Sequence, residues 1–185
     1  MSKDEIVHVL NLYFKDFRKL FDKLINEPEP ENVYWLWTEF KQLRAFLRLI
    51  NVELANNSTL KLPKQMKTVY GYLGMVRDLQ WLEHKIKNLH LSTTEVKGYP
   101  DQLTEELENW KEKLLQAIHS NPLPDAREEL LMRLPKSIHQ ATIEKFVKDK
   151  IEKINSLLEN KEQEESLLLL RKNLRDILYN ILIFN

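Results

Sequence analysis

The chain has only three glycines in 185 residues, together with seven prolines and no cysteine. Glycine is the residue that most readily adopts the backbone conformations of tight turns. With so few glycines the sequence lacks the turn signals of a β-sandwich, and its runs of Leu, Lys and Glu have too little β-branching for a parallel sheet. The scarcity of glycine therefore predicts an all-α protein.

Prolines and polar turn residues divide the chain into about seven helical segments. Capping boxes predict two of the helix starts, at Ser2 with Glu5 and at Ser137 with Gln140. Because the links between segments are short, we expect an antiparallel helical bundle in a single domain, residues 1–185. The predicted helices span residues 2–26, 31–54, 63–90, 100–120, 125–134, 137–159 and 162–185.

Apolar residues recur at helical spacing and predict which faces enter the core. The first helix contributes Ile6, Leu10, Phe14, Phe17, Phe21 and Leu24. The second contributes Leu36, Phe40, Leu43, Leu47 and Ile50. For the last helix the same spacing predicts a core stripe of Leu167, Leu170, Leu174, Ile177 and Ile181.

Several classes of protein are excluded by what the sequence lacks. Without cysteine there is no disulfide framework, thiolate metal site or cysteine nucleophile. The N-terminal residues do not resemble a signal peptide, and no segment approaches the roughly 20 apolar residues of a membrane span, which predicts a soluble, cytoplasmic protein that does not bind membranes. The five histidines lack metal-ligand spacing, and no phosphate loop or nucleophile elbow is present. We expect no metal, no cofactor and no enzymatic activity.

The net charge of zero conceals a strong partition along the chain. Residues 41–87 hold nine basic and three acidic residues, a net charge of +6, whereas residues 101–130 hold three basic and eight acidic residues, a net charge of −5. Overall neutrality argues against nucleic acid as a partner, because such affinity rests on a large excess of positive charge. It does not exclude a localised polyanion site on the second and third helices.

A line of aromatic and basic residues runs beside the core stripe of two helices. On the last helix this line is Leu168, Arg171, Arg175 and Tyr179, which indicates an internal pseudo-repeat with halves of about 1–98 and 99–185. In the alternative interpretation, these cations lay their alkyl stems over the apolar seam and pair with acids such as Glu39. On the second helix the line comprises Tyr34, Trp37, Lys41, Arg44 and Arg48.

Three segments together resemble the CHAD domain, the conserved histidine α-helical domain. Leu73-Gly74-Met75-Val76-Arg77-Asp78 matches that family's Leu-Gly-x-x-Arg-Asp motif completely. The segments 43–50 and 170–179 are similar, in order and spacing, to its two other basic motifs. Tyr34 and Leu168 stand where those motifs have histidine, and Trp37 and Leu178 stand where they have arginine, so the chain resembles a divergent and shortened member.

The resemblance implies a bundle of two pseudo-symmetric halves whose basic residues line a groove that binds inorganic polyphosphate or another phosphate-rich anion. Helical periodicity adds Lys64 and Lys67, which share a face of the third helix with Gly74 and Arg77. The residues that the resemblance places at basic or aromatic motif positions are Lys41, Arg44, Arg48, Arg77, Arg171, Arg175 and Tyr179.

Gly71 and Gly74, inside the third helix, indicate close approach either of a ligand or of another helix, and ordinary helix packing is the commoner reason. Trp37 and Leu168 replace hydrogen-bond donors with apolar bulk, which predicts that part of the groove becomes core.

The alternative function is a protein–protein adaptor that has lost polyphosphate binding and uses Tyr34 and Trp37 to dock a partner helix or a second copy of the chain.

Overall fold

The structure, a computed structural model, describes residues 1–54, 59–88, 98–159 and 164–183. Its regular secondary structure in these ranges is helical, apart from an isolated β-bridge between Ser2 and Ser137, and the prediction of an all-α fold is confirmed. The helices are α1 Lys3–Asn26, α2 Pro30–Leu54, α3 Lys64–Asn88, α4 Tyr99–His119, α5 Leu123–Met132, α6 Gln140–Glu159 and α7 Glu164–Ile181.

The chain divides into two compact units. Unit 1 comprises Met1–Tyr13, Lys41–Leu62 and Arg127–Asn185, and unit 2 comprises Phe14–Phe40 and Pro63–Ala126. The division between pseudo-symmetric halves near residue 98 stays a prediction.

Unit 1 is built around apolar side chains from the start of α1 and the C-terminal half of α2. Ile6, Leu10 and Phe46 are fully buried, and the rings of Tyr13 and Phe46 lie 6.0 Å apart. The N-terminal amino group donates a 2.7 Å hydrogen bond to the carbonyl of Ile138, which fixes the start of the chain against the segment that precedes α6. Helices α6 and α7 pack against each other in this unit.

Unit 2 has an aromatic core. The rings of Phe17 and Phe40 lie 4.6 Å apart, and Tyr70 of α3 approaches Phe40 at 5.3 Å. Helices α3 and α4 pack together, with Tyr72 and Trp110 in ring contact at 5.5 Å. The predicted core stripes of the first two helices are buried throughout, so both predictions are confirmed.

One of the two predicted capping boxes forms. Ser2 and Glu5 exchange the expected hydrogen bonds at the start of α1, whereas the predicted box at Ser137 and Gln140 is wrong. There, Glu53 of α2 takes the capping role: its carboxylate accepts hydrogen bonds from the backbone N–H of His139, at 3.0 Å, and from the Thr142 hydroxyl. Burial raises the pKa of Glu53, but these hydrogen bonds outweigh it and leave the pKa below its ordinary value.

Two further boundaries differ from the sequence prediction. Helix α5 begins at Leu123 rather than Asp125, because Pro124 is tolerated in a first helical turn, where its missing N–H has no intrahelical partner to lose. The preceding Asn121 has a φ of 52°, which turns the chain after α4. The predicted last two residues of the third helix, 89 and 90, and the ends of the predicted last helix, 162–163 and 184–185, lie outside the described residues.

The predicted core stripe of the last helix is wrong. Leu167, Leu174 and Ile181 of α7 are exposed and Leu170 and Ile177 are only half-buried, and the buried face instead carries Asn173, Asp176 and Asn180. Periodicity located an apolar stripe correctly but could not tell which way it faces. The helix is oriented this way because Asp176 forms ion pairs with basic residues inside unit 1.

Within the described part of the chain, none of the helices is long and apolar enough to cross a membrane.

Candidate functional site

The nine predicted binding residues fall into two sets, one in each unit. Unit 2 contains Lys64, Lys67 and Arg77, all on α3. Unit 1 contains the remaining six, which are Lys41, Arg44 and Arg48 on α2 and Arg171, Arg175 and Tyr179 on α7.

The α2 cations of unit 1 lie beside the buried stripe of that helix. Lys41, Arg44 and Arg48 are each half-buried, so their stems run along apolar surface while part of each side chain reaches solvent. This placement follows from the sequence, because positions three and four apart on a helix form one line next to the core stripe.

Arg48 is held by an acidic residue of α7. Its Nε donates a 2.8 Å hydrogen bond to Oδ2 of Asp176, and its terminal nitrogen Nη2 contacts Oδ1 of the same carboxylate. Asp176 is only 1% exposed. The two-point contact matches the planar guanidinium to the planar carboxylate, which is the strongest form of such a pair.

Lys150 of α6 reaches the same carboxylate. Its Nζ lies 2.7 Å from Oδ2 of Asp176 and 3.0 Å from the amide oxygen of Asn173. Two cations therefore share one buried carboxylate, and the cluster keeps a net charge of +1. Sequence reasoning missed Lys150, although the signal was present: Phe146, Lys150 and Ile154 fall four apart on one face of α6, so Lys150 interrupts an apolar stripe.

The ion-pair interpretation thus holds for Arg48, whose charge is largely neutralised by Asp176. The sequence suggested Glu39 as an acidic partner, but the partner of Arg48 is Asp176. Glu39 makes no salt bridge within the described ranges. Burial, and to a lesser degree the nearby carboxylate of Asp16, raises the pKa of Glu39 to about 7.

Arg171, Arg175 and Tyr179 follow one another at one-turn intervals along α7. Arg171 is exposed, and Arg175 and Tyr179 are half-buried. Unlike Arg48, neither of these arginines forms a salt bridge with an acid in the described part of the chain. Their line lies between the buried polar face of α7 and its exposed apolar face.

In unit 2, Arg77 stacks on an aromatic ring. Its guanidinium carbon lies 3.8 Å from the centre of the Trp37 ring, and Nη2 lies 3.5 Å from the carboxylate of Asp78. The Arg77 side chain is still 35% exposed. Trp37 stands where the family motif has arginine, and here it supplies a flat support that orients the arginine of the neighbouring helix.

The solvent-facing side of α3 combines cations with bare backbone. Lys64 and Lys67 are exposed, and a Cβ atom added at Gly71 or Gly74 would meet no atom of the described residues within 4 Å. Of the two explanations left open for these glycines, close packing of another helix is therefore not found among the described helices. The glycines leave a stretch of helix surface open between Lys67 and Arg77.

The replaced histidine positions did not become core. Tyr34 is 50% exposed and Leu168 is 62% exposed, and Leu178 is exposed as well. The prediction that Leu168 would fill part of the groove is wrong, because α7 turns its polar side inward.

An all-α fold whose helices carry lines of basic residues on exposed or half-exposed faces defines the class of this protein as a helical bundle with basic surface rows. The family model of the CHAD domain matches residues 8–185, nearly the whole chain. The chain belongs to the CHAD family, which confirms the resemblance seen in its motifs. No curated protein and no solved structure matches the chain.

Proposed function

We propose that this CHAD-family chain binds inorganic polyphosphate along its basic helix faces and that it does so without catalysing a reaction. Membership of the family supports a phosphate-rich ligand. A linear polyanion carries a negative charge at every repeat, so cations spaced one helical turn apart, about 5.4 Å, neutralise it without a shaped pocket.

The observation that carries the proposal is the solvent-facing side of α3. Exposed lysines precede two glycines at which no atom of the described residues lies within 4 Å of a Cβ position. From Lys67 to Arg77 the helix rises about 15 Å at 1.5 Å per residue, which gives room for several phosphate units. Phosphoryl oxygens can lie against this surface without meeting a side chain at the glycines.

Arg77 adds directional recognition at one end of this surface. Stacking on Trp37 restricts the guanidinium, so less conformational entropy is lost when it binds a phosphoryl oxygen. Arginine also offers two parallel N–H donors to one phosphate, which lysine cannot do.

In unit 1, Arg171 and Arg175 are the residues best suited to direct phosphate contact. Each is at least partly accessible and has no acidic partner in the described ranges, whereas Arg48 is engaged by Asp176. We therefore assign Arg48 a structural role, in which it positions α7 and its arginines rather than binding phosphate itself.

The test is a titration of the full chain with long-chain polyphosphate and, separately, with orthophosphate, at low and at physiological salt. We expect salt-sensitive binding of polyphosphate and at least tenfold weaker binding of orthophosphate, because one phosphate meets only one or two cations. Arg175→Gln should weaken the polyphosphate complex, and Lys145→Gln, which removes an exposed cation of α6, should not. Absence of binding at low salt would refute the proposal.

A second candidate, the protein–protein adaptor, is favoured by one observation. Tyr34 and Trp35 are each half-exposed, and their rings lie 5.4 Å apart on α2, forming an aromatic surface. A complex that persists at high salt and is lost in Tyr34→Ala would support this function.

A further inference from the structure

Helix α7 is inverted relative to an ordinary amphipathic helix. Its buried side carries Asn173, Asp176 and Asn180, each less than a tenth exposed. Amphipathic helices normally place their apolar stripe toward the core and their polar residues toward water. The polar side of α7 is fixed in unit 1 by Arg48 and Lys150, so the apolar side cannot turn inward without breaking both ion pairs.

The apolar side forms a continuous exposed stripe. Leu167, Leu174 and Ile181 recur every seven residues and are 61%, 49% and 46% exposed. Leu178, between the last two, is 53% exposed. A seven-residue repeat of leucine and isoleucine is the pattern by which one helix packs along another.

Helix α6, which packs against α7, carries an exposed groove of its own. The groove has a volume of about 480 Å³ and is lined by Ile143, Val147 and Ile151. Its remaining lining residues are polar or charged and are Gln140, Glu144, Lys148 and Glu152. The groove presents an apolar floor between two glutamates.

We propose that this α6–α7 face is a dimer interface and that its occupant is a second copy of this chain. Seven of the sixteen large apolar side chains that are exposed in the described residues lie along the α7 stripe, at Leu182 or on α6 at Ile151 and Leu158. At about half exposure each, they offer on the order of 600 Å² of apolar surface, about three quarters of the roughly 800 Å² per partner of a standard interface. Monomeric proteins rarely leave so much contiguous apolar surface in water.

Charge favours a copy of the same chain as the partner. The apolar stripe of α7 has one exposed cation beside it, Arg171. The groove on α6 has glutamates at positions 144 and 152 and one lysine, Lys148, 3.9 Å from Glu152, so it keeps a net charge of −1. In a twofold dimer, the α7 stripe of each copy packs onto the α6 groove of the other, so both complementary contacts occur twice. The result is a four-helix arrangement that buries apolar faces from both chains. This interface shares Arg171 with the proposed phosphate surface of unit 1, but its formation does not require polyphosphate.

The experiment measures the molar mass of the full chain by light scattering and sedimentation between about 1 and 100 µM, with Kd values below about 10 µM expected for an interface of this size. We expect twice the 22.2 kDa chain mass. The double substitution Leu174→Glu/Leu178→Glu should weaken the dimer at least a hundredfold without changing the helical circular dichroism, because both side chains already reach solvent. The matched control Leu12→Glu, at a 45% exposed leucine of α1, should leave the dimer intact.

A charge exchange tests the identity of the partner faces. Arg171→Glu alone should weaken the dimer about tenfold, and adding Glu144→Arg and Glu152→Arg should restore it. A monomer at 100 µM, or a dimer that Leu174→Glu/Leu178→Glu leaves unchanged, would overturn the proposal. A dimer that is lost in Tyr34→Ala instead would also overturn it, because that residue lies on α2 and outside this face.

Discussion

Arg48 of α2 binds the carboxylate of Asp176 of α7 through two nitrogens of its guanidinium. Asp176, which also contacts Lys150, is only 1% exposed. The pair joins residues 128 positions apart in the chain. It determines which side of α7 faces inward, and with it the exposure of Arg171 and Arg175 and of the leucine stripe. Both the proposed ligand surface of unit 1 and the proposed dimer interface thus depend on this contact.

Replacing Asp176 with asparagine should destabilise the chain strongly. The substitution keeps the shape of the side chain but leaves Arg48 and Lys150 without their shared negative charge, which we expect to cost about 3 kcal/mol in free energy of unfolding. Urea denaturation measures the effect. The control is Asp78→Asn, whose partner Arg77 sits at the surface, with an expected loss below about 0.5 kcal/mol. Similar losses in both variants would contradict a buried structural role for Asp176.

The carboxyl group of Glu39 should make stability fall as the pH rises. Burial and the charge of Asp16 raise its pKa from 4.5 to about 7 in the folded chain. Between these two values the folded chain holds a proton that the unfolded chain has released, so the free energy of unfolding decreases across this window and levels off above it. Below pH 4.5 the group is protonated in both states and contributes no penalty.

The substitution Glu39→Gln isolates this contribution. At pH 8 we expect the variant to be more stable than the wild type by about 1–3 kcal/mol, because glutamine cannot be charged. At pH 4 the two proteins should have nearly equal stability. Thermal unfolding at both pH values measures the difference, and Glu108→Gln, at an exposed position of α4, serves as the control. A difference that does not vary with pH would show that Glu39 titrates normally.

Most of the fold followed from the sequence, because it depends on local signals. Helical periodicity located the buried stripes of α1 and α2, and prolines located most helix boundaries to within a few residues. The failures involve residues distant in the chain. Glu53 caps α6 from 86 positions away in the chain. Asp176, by pairing with Arg48, places the polar side of α7 toward the interior of unit 1. No local pattern encodes which distant carboxylate or cation a helix will meet.

The candidate site was predictable as a set of residues but not as a set of roles. Motif positions identified the arginines, and periodicity added Lys64 and Lys67. The sequence does not show which arginine pairs with an acidic residue. Asp176 and Arg175 are neighbours in the motif, but only Asp176 faces the interior. The support of Arg77 by Trp37 is likewise a contact between helices, which the replacement of a motif arginine by tryptophan does not reveal.

Replacing Gly74 with alanine should raise the stability of the chain but weaken its binding of polyphosphate. In the described part of the chain no atom lies within 4 Å of the Cβ position, so Gly74→Ala should increase the free energy of unfolding by up to about 1 kcal/mol through better helix propensity. If polyphosphate lies against this backbone, the same variant should bind it several-fold more weakly. Gln65→Ala, also on α3 but away from the glycine face, should leave binding unchanged. Tighter or equal binding by Gly74→Ala would place the ligand elsewhere.

The central claim is that polyphosphate is held by the particular cations of these rows rather than by the charge of the protein as a whole. Its most direct test is the slope of log K against log salt concentration for two variants with the same net charge. Lys64→Gln/Lys67→Gln removes two cations of the α3 surface, and Lys15→Gln/Lys23→Gln removes two exposed cations of α1. We predict a slope about 1.4 smaller in magnitude for the first variant, or about 0.7 per lost contact, and an unchanged slope for the second. Equal slopes for the two variants would contradict the account.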